Sequence, residues 1–368
     1  MKRTRWLLTM VLGLVGLVFV PAASACGGLF CQNTPVDQQA ERIIFTVNKN
    51  DTLTAYVQIN YTGEAHDFSW VVPVPSVPKV DVAEIASFDE LSNLTAPVFI
   101  PPLMPGCAAI PMPSVAFDSA GSGGVQVLAS GTAGPYAYDV VTSSEPTELI
   151  MWLRKNKYRI TEEMEPLIKV YTDEGLIFLA MKLQPNEGTQ DIQPVVMTYK
   201  GTDPMIPLRL TAVAATPNMN IIAWVLADKQ AVPTNYAHPT IDDKNIRSNF
   251  GASGGTNYIQ VVDQTVDLYH GRAFITEYAG PSSTIATTAN DKLVKQLLAD
   301  YPYVTRVFAR ISPEEMTVDP TFKLVDAPDI SNVHDLSKID DKTFWACPDT
   351  DQTVQVQYDP NAVPQGFK

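Results

Sequence analysis

Between Leu53 and Tyr61 apolar and polar residues take strict turns: Leu53, Ala55, Val57, Ile59 and Tyr61 alternate with Thr54, Tyr56, Gln58 and Asn60. Successive side chains of a strand point to opposite faces, so this is the pattern of a half-buried strand. The preceding "RIIFTVNK" predicts its partner, with Asn50-Asp51 placed to turn a short hairpin. "HDFSWVVPVP" predicts a third strand that ends there or lies at an edge, because Pro73 and Pro75 have no N–H to give to a ladder. Further on come "GLIFLAMKL", "IQPVVMTYK", "IPLRLTAVAA" and "MNIIAWVLA". Several of these are apolar on both faces, as the central strands of a covered sheet must be.

Helical spacing interrupts the strands. "SFDELSNL" predicts a short helix with Ser87 as its cap and Glu90 at the capping-box position. In "EPTELIMWLRKNKY" Leu149, Trp152 and Leu153 share a face, and in "TEEMEPLIKVY" Met164, Leu167, Ile168 and Tyr171 do. A last helix, "NDKLVKQLLADY", aligns Leu293, Val294, Leu297, Leu298 and Tyr301 ahead of the strand "YVTRVFARI". Val232 to Asn257 reads as a long polar loop, and "TNYIQVV" after it reads as strand. No internal repeat is present, so the expected class is α+β: strand-rich, with a mostly antiparallel or mixed sheet and a few short packing helices.

The amino-terminal residues constrain compartment. Lys2, Arg3 and Arg5 precede an apolar run from Trp6 to Val20, and Ala23-Ser24-Ala25 closes it. That is the grammar of an export signal spanning 1–25, too short for a membrane span and with no later candidate for one. Cleavage would remove three cations and no acid, moving the formal net charge from −14 to −17. A chain so acidic is repelled by phosphate, which argues against nucleic acid or an anionic membrane surface as a partner. The main domain is expected over 26–322, with an irregular Pro- and Gly-rich excursion at 96–124 and a C-terminal tail at 323–368.

Four cysteines in an exported chain favour disulfides. Cys26 and Cys31 are near neighbours, whereas Cys107 and Cys347 are far apart. The favoured pairing is Cys26–Cys31 and Cys107–Cys347, the second clipping the tail to the body. A zinc site is the alternative, but the CxxxxC spacing has no histidine nearby. Lipidation of Cys26 is a third reading. It fits less well because the position three before Cys26 is Ala23 and because it would leave an odd number of thiols.

No motif specifies a reaction. "GASGG", Gly251 to Gly255, satisfies G-x-S-x-G, but that elbow needs a buried strand entering and a helix leaving. Here the polar "KNIRSNF" enters and the strand-like "TNYIQVV" leaves, so a flexible loop is the preferred reading of Ser253. His66, His238, His270 and His334 are scattered without ligand spacing, and the pairs Asp242-Asp243 and Asp340-Asp341 read as solvated turns. Trp70, Trp152 and Trp224 lie in apolar segments and read as core. No catalytic residue, metal ligand or cofactor is assigned.

Several segments together resemble a family of exported bacterial proteins catalogued as domain of unknown function 2330. They are "ACGGLFC" with "PVDQQAERIIF", "LTAYVQINYTGEAHDFSWVVPVP", "WLRKNKYRI", "IPLRLTAVAA" and "TRVFARISPEEMTVDPTF", running from Cys26 to about Phe322. The resemblance implies bacterial origin and export, and makes Cys26 and Cys31 part of the domain. It implies no activity and supplies no catalytic residues. The expected function is that of an envelope component acting by binding or as structure, with another envelope protein as a candidate partner. The rivals are an envelope hydrolase with a site assembled from distant residues, and an assembly factor anchored through a lipid on Cys26.

Overall fold

A computed structural model describes residues 38–59, 68–103, 127–158, 160–185, 187, 192–249, 252, 255–345, 356–365 and 367. The first segments are strands β1 (Gln38–Val47), β2 (Thr52–Ile59), β3 (Ser69–Val74) and β4 (Lys79–Val82). Helix α1 (Ile85–Thr95) and the short β5 (Val98–Ile100) follow, then β6 (Val127–Ala133) and β7 (Tyr136–Val141). Two helices, α2 (Pro146–Lys155) and α3 (Met164–Asp173), lead to β8 (Ile177–Leu183) and β9 (Val195–Lys200). The turn α4 (Leu208–Thr211) precedes the long β10 (Ala215–Ala227) and β11 (Gln230–Pro233). After a loop come α5 (Tyr258–Leu268), β12 (Ile275–Pro281), α6 (Ser282–Ala286), α7 (Lys292–Asp300) and β13 (Tyr303–Ile311). Next come β14 (Phe322–Val325), β15 (Val333–Asp335), α8 (Asp341–Phe344) and a 3-10 turn at Pro360–Ala362.

These elements make an α+β, strand-rich fold. Its largest sheet has seven strands in the order β12-β13-β10-β1-β2-β9-β4; β1 and β10 run parallel and the other neighbours antiparallel. A second sheet, β3-β8-β7-β6, is antiparallel throughout. The alternation in β2 does what its pattern requires: Leu53, Ala55 and Val57 are buried on one face with Ile43 and Phe45 of β1. The same apolar cluster continues through the four-stranded sheet into α2 and α3. The other face of the seven-stranded sheet carries Ile44, Trp224 and Val304, covered by Phe88 and Leu91 of α1 and by Val294, Leu297 and Leu298 of α7. Strand β10, apolar toward both layers, is an interior strand, and β3 with its Pro73 is an edge strand.

Three local expectations are corrected. Helix α1 starts at Ile85 with Glu84 in the cap position and no side-chain cap. Ser87 instead donates through Oγ to Asp291 Oδ1 at 2.8 Å, and the Glu90 carboxylate accepts from the Asn290 and Asp291 N–H groups. The capping pair thus serves the start of α7 rather than its own helix. "IPLRLTAVAA" contains a helical turn, not a strand: Leu208 and Leu210 are both fully buried, and a short run apolar on both sides has no period to reveal it. "YIQVVDQTVDL" is α5, with Tyr258, Val261, Val262, Thr265 and Val266 buried at helical spacing. Its β-branched residues gave a strand-like appearance that tertiary packing overrides.

Asp291 joins α1 to α7, since its Oδ1 also caps α7 by accepting from Val294 N–H at 2.9 Å. Asp291→Ala is expected to lower stability by about 1–2 kcal/mol, through the lost cap and the orphaned Ser87 hydroxyl. Chemical denaturation of the variant checks this; a loss below about 0.3 kcal/mol would contradict it.

Segments distant in sequence are joined by a second polar knot. Asp319 accepts from Arg209 N–H at 2.9 Å, from Arg209 Nε at 2.8 Å and from the Tyr171 hydroxyl at 3.0 Å. Residues past 322 pack on the body by backbone pairing: β14 joins β11, β15 runs parallel to β5, and Leu336 and Phe344 are buried.

Candidate functional site

Arg306 stands inside an apolar strand, on the face that also carries Val304 and Phe308. A buried guanidinium must be met by hydrogen-bonding partners. Strand β12 supplies one through a register shift between Thr276 and Tyr278, which leaves an extra residue, Glu277, beside Arg306. Such a bulge re-aims a side chain that a regular ladder would send elsewhere. Arg306 Nε donates to Glu277 Oε2 at 2.6 Å, and Nη1 donates to the carbonyl and hydroxyl oxygens of Ser92 at 3.3 and 3.2 Å. The guanidinium lies 5.4 Å from the centre of the Trp224 ring. The other Glu277 oxygen accepts from the Tyr258 hydroxyl at 2.9 Å.

Both ions are almost sealed from water, at 3% exposure for Glu277 and 5% for Arg306. Burial pushes the Glu277 carboxyl up, while Arg306 and Tyr258 favour its ionised form. Burial, and then the neighbouring Glu277 charge, hold the Tyr258 phenol well above its ordinary value, so it remains a donor.

A cleft of about 430 Å³ is built on this network. Phe99, Tyr258 and Phe308 give it aromatic walls, and Glu41, Arg42, Asn220 and Thr256 give it polar edges. Arg42 Nη1 is paired with Asp89 at 2.7 Å, whereas its buried Nε has no hydrogen-bond partner among the described residues. Beside the aromatic wall lies a histidine. The parallel pairing of β15 with β5 sets His334 opposite Phe99, and the two rings stack with centroids 5.2 Å apart. His334 Nδ1 is 2.6 Å from Asp243 Oδ1, and its ring centre is 5.7 Å from that of Tyr258. Phe99, Tyr258 and His334 thus form one continuous aromatic wall, with the unpartnered Arg42 Nε at the edge of the same cleft.

The residues singled out in the sequence fall mostly elsewhere. Cys26, Cys31, Cys107 and Cys347 lie outside the described residues, as do the 1–25 segment, most of the 96–124 excursion, His66 and Ser253. The remaining histidines are dispersed. His238 gives its backbone N–H to Ala362, with burial and Lys323 pushing its pKa down, and His270 is exposed just beyond α5. The segment leaving "GASGG" is helix α5, not a strand; on the entering side Ser248 makes only an isolated bridge, to Thr256. Asp242 and Asp340 cap short helical turns, accepting from Lys244 N–H and Thr343 N–H. Their neighbour Asp243 does more, because it holds His334. Trp70 and Trp224 are buried in the core and Trp152 is half-buried. Among the described residues no three His, Cys, Asp or Glu side chains are placed to hold a metal ion, and no helix is long and apolar enough to cross a membrane.

Sequence reading passed over Glu41, Glu277, Arg306 and Tyr258. The signal for the first three was a charge at a core-facing strand position, in "AERIIF", "FITEY" and "VTRVF". No curated protein and no solved structure matches the chain. One family model does, over residues 20–323, described as an uncharacterized protein conserved in bacteria (DUF2330). Its span covers most of the chain, from before β1 to β14, including every residue of the Glu277–Arg306–Tyr258 network. The chain belongs to the DUF2330 family.

Proposed function

We propose that this is an exported component of the bacterial envelope that acts by binding, and that the cleft above Arg306 is its ligand site. Export rests on the basic, apolar and Ala-Ser-Ala succession of residues 1–25. The binding role rests on one observation: an aromatic-walled cleft built on a buried network whose acid, base and phenol already satisfy one another. A network so satisfied is rigid, and a rigid site spends little of its binding energy on ordering. The ligand class is a small molecule with a flat apolar body and a carboxylate or carbonyl head for the arginine edge.

The test is calorimetric titration of the exported protein with N-acetylphenylalanine and phenylacetate. Saturable one-site binding is expected, weakened about tenfold by Phe99→Ala, which removes one wall. Absence of binding to a panel of such acids, or binding indifferent to Phe99→Ala, would contradict the reading. The hydrolase alternative has one feature in its favour, the Asp243–His334 pair beside the cleft. Turnover of the corresponding esters, abolished by His334→Ala, would move the assignment to it.

A further inference from the structure

A second cavity differs from the cleft in chemistry. It occupies about 130 Å³ between the inner face of the seven-stranded sheet and strand β3, with Phe45, Val57, Trp70, Val72, Met197 and Tyr199 among its walls. An apolar cavity of roughly 150 Å³ is large enough for a benzene-sized guest. Two carboxylates and no basic residue line it. Asp203 is exposed, together with Pro75, and these two mark the mouth. Glu41 is only 4% exposed, and its Oε2 is buried without a hydrogen-bond partner. It projects from β1 on the same face as Ile43 and Phe45, into apolar surroundings.

Every other strongly buried ion described above has a counter-ion or donors: Glu277 has Arg306 and Tyr258, and Asp319 has Arg209 and Tyr171. An ionised carboxylate in apolar surroundings is costly unless a cation or donor meets it. Trp70 and Tyr199 among the walls add aromatic rings, whose faces attract cations.

We propose that the inter-sheet cavity is a second binding site, for a small primary amine with an aryl or alkyl body, whose ammonium pairs with Glu41. Glu41 also borders the Arg306 cleft, but the amine site does not rest on the reading of that cleft, because its probe is a cation and the cleft's probes are anions. Calorimetric titration of the full chain at pH 8 tests it, with benzylamine as the probe and toluene as its uncharged counterpart. Benzylamine is expected to bind at least tenfold more tightly than toluene, and Glu41→Gln is expected to remove at least tenfold of that affinity while leaving toluene within about twofold. The benzylamine-to-toluene ratio in the unaltered protein needs no variant to fold. Equal affinities, no binding of benzylamine, or a folded Glu41→Gln protein that binds benzylamine undiminished would each overturn the proposal.

Discussion

Glu277→Ala is expected to destabilise the fold by about 3–5 kcal/mol, more than any other single substitution in the cleft. The loss is not the worth of one ion pair. Removing the carboxylate strands the Arg306 guanidinium, 5% exposed, and leaves the Tyr258 hydroxyl without its acceptor. Replacing both ions at once, as Glu277→Leu with Arg306→Met, is expected to recover much of the loss, because an apolar pair of similar volume leaves no buried charge unmatched. Urea denaturation of the two proteins makes the comparison. A single variant within about 1 kcal/mol of the parent, or a double variant worse than the single, would refute the role assigned to the network.

Glu41→Gln is expected to act in the opposite direction, stabilising the protein by about 2–3 kcal/mol at pH 8 and by almost nothing near pH 4. Burial pushes the Glu41 carboxyl in the folded chain from 4.5 up to about 7. The folded state therefore keeps a proton that the unfolded chain releases over that interval. Stability falls as pH rises from about 4.5 to about 7, a loss of roughly 3 kcal/mol that persists at higher pH. Lys182 works the other way above that range. It is buried against Tyr158, its ammonium 4.5 Å from the ring centre and donating to the Asn156 carbonyl, and burial lowers its pKa to about 7. The folded state gives up its proton first, so Lys182 adds stability as pH rises from about 7 to its ordinary value. The difference between variant and parent isolates Glu41, since Lys182 is common to both. A stability difference that stays constant between pH 4 and pH 8 would contradict the assignment.

Much of the frame was legible because burial imposes a period. The alternation of β2, the two-sided apolarity of β10 and the stripes of α2, α3 and α7 each follow from which faces the sheets and helices cover. Short runs were not legible: Leu208 and Leu210 are buried on both sides of a single helical turn, and the valines of α5 carry strand-forming shapes at helical spacing. The cleft was the least visible feature, for a topological reason. Phe99, Asp243, Tyr258, Glu277, Arg306 and His334 come from six separate elements, brought together by the parallel β5–β15 pairing, the bulge in β12 and the side-chain contacts of Asp243 and Tyr258. What the chain did carry was a residue-level anomaly. Glu41, Glu277 and Arg306 each put a charge where a core-facing strand position calls for an apolar side chain. Such a position is retained only if a partner waits for it, inside the fold or outside it.

Amide hydrogen exchange of the full chain, with and without saturating N-acetylphenylalanine, tests the binding account most directly. The account predicts slowed exchange confined to the walls of the cleft: residues 98–100, the first turn of α5 and the strands β12 and β13 around Glu277 and Arg306. Exchange unchanged at those segments while the ligand is bound, or slowed only on α2, α3 and the four-stranded sheet, would contradict it.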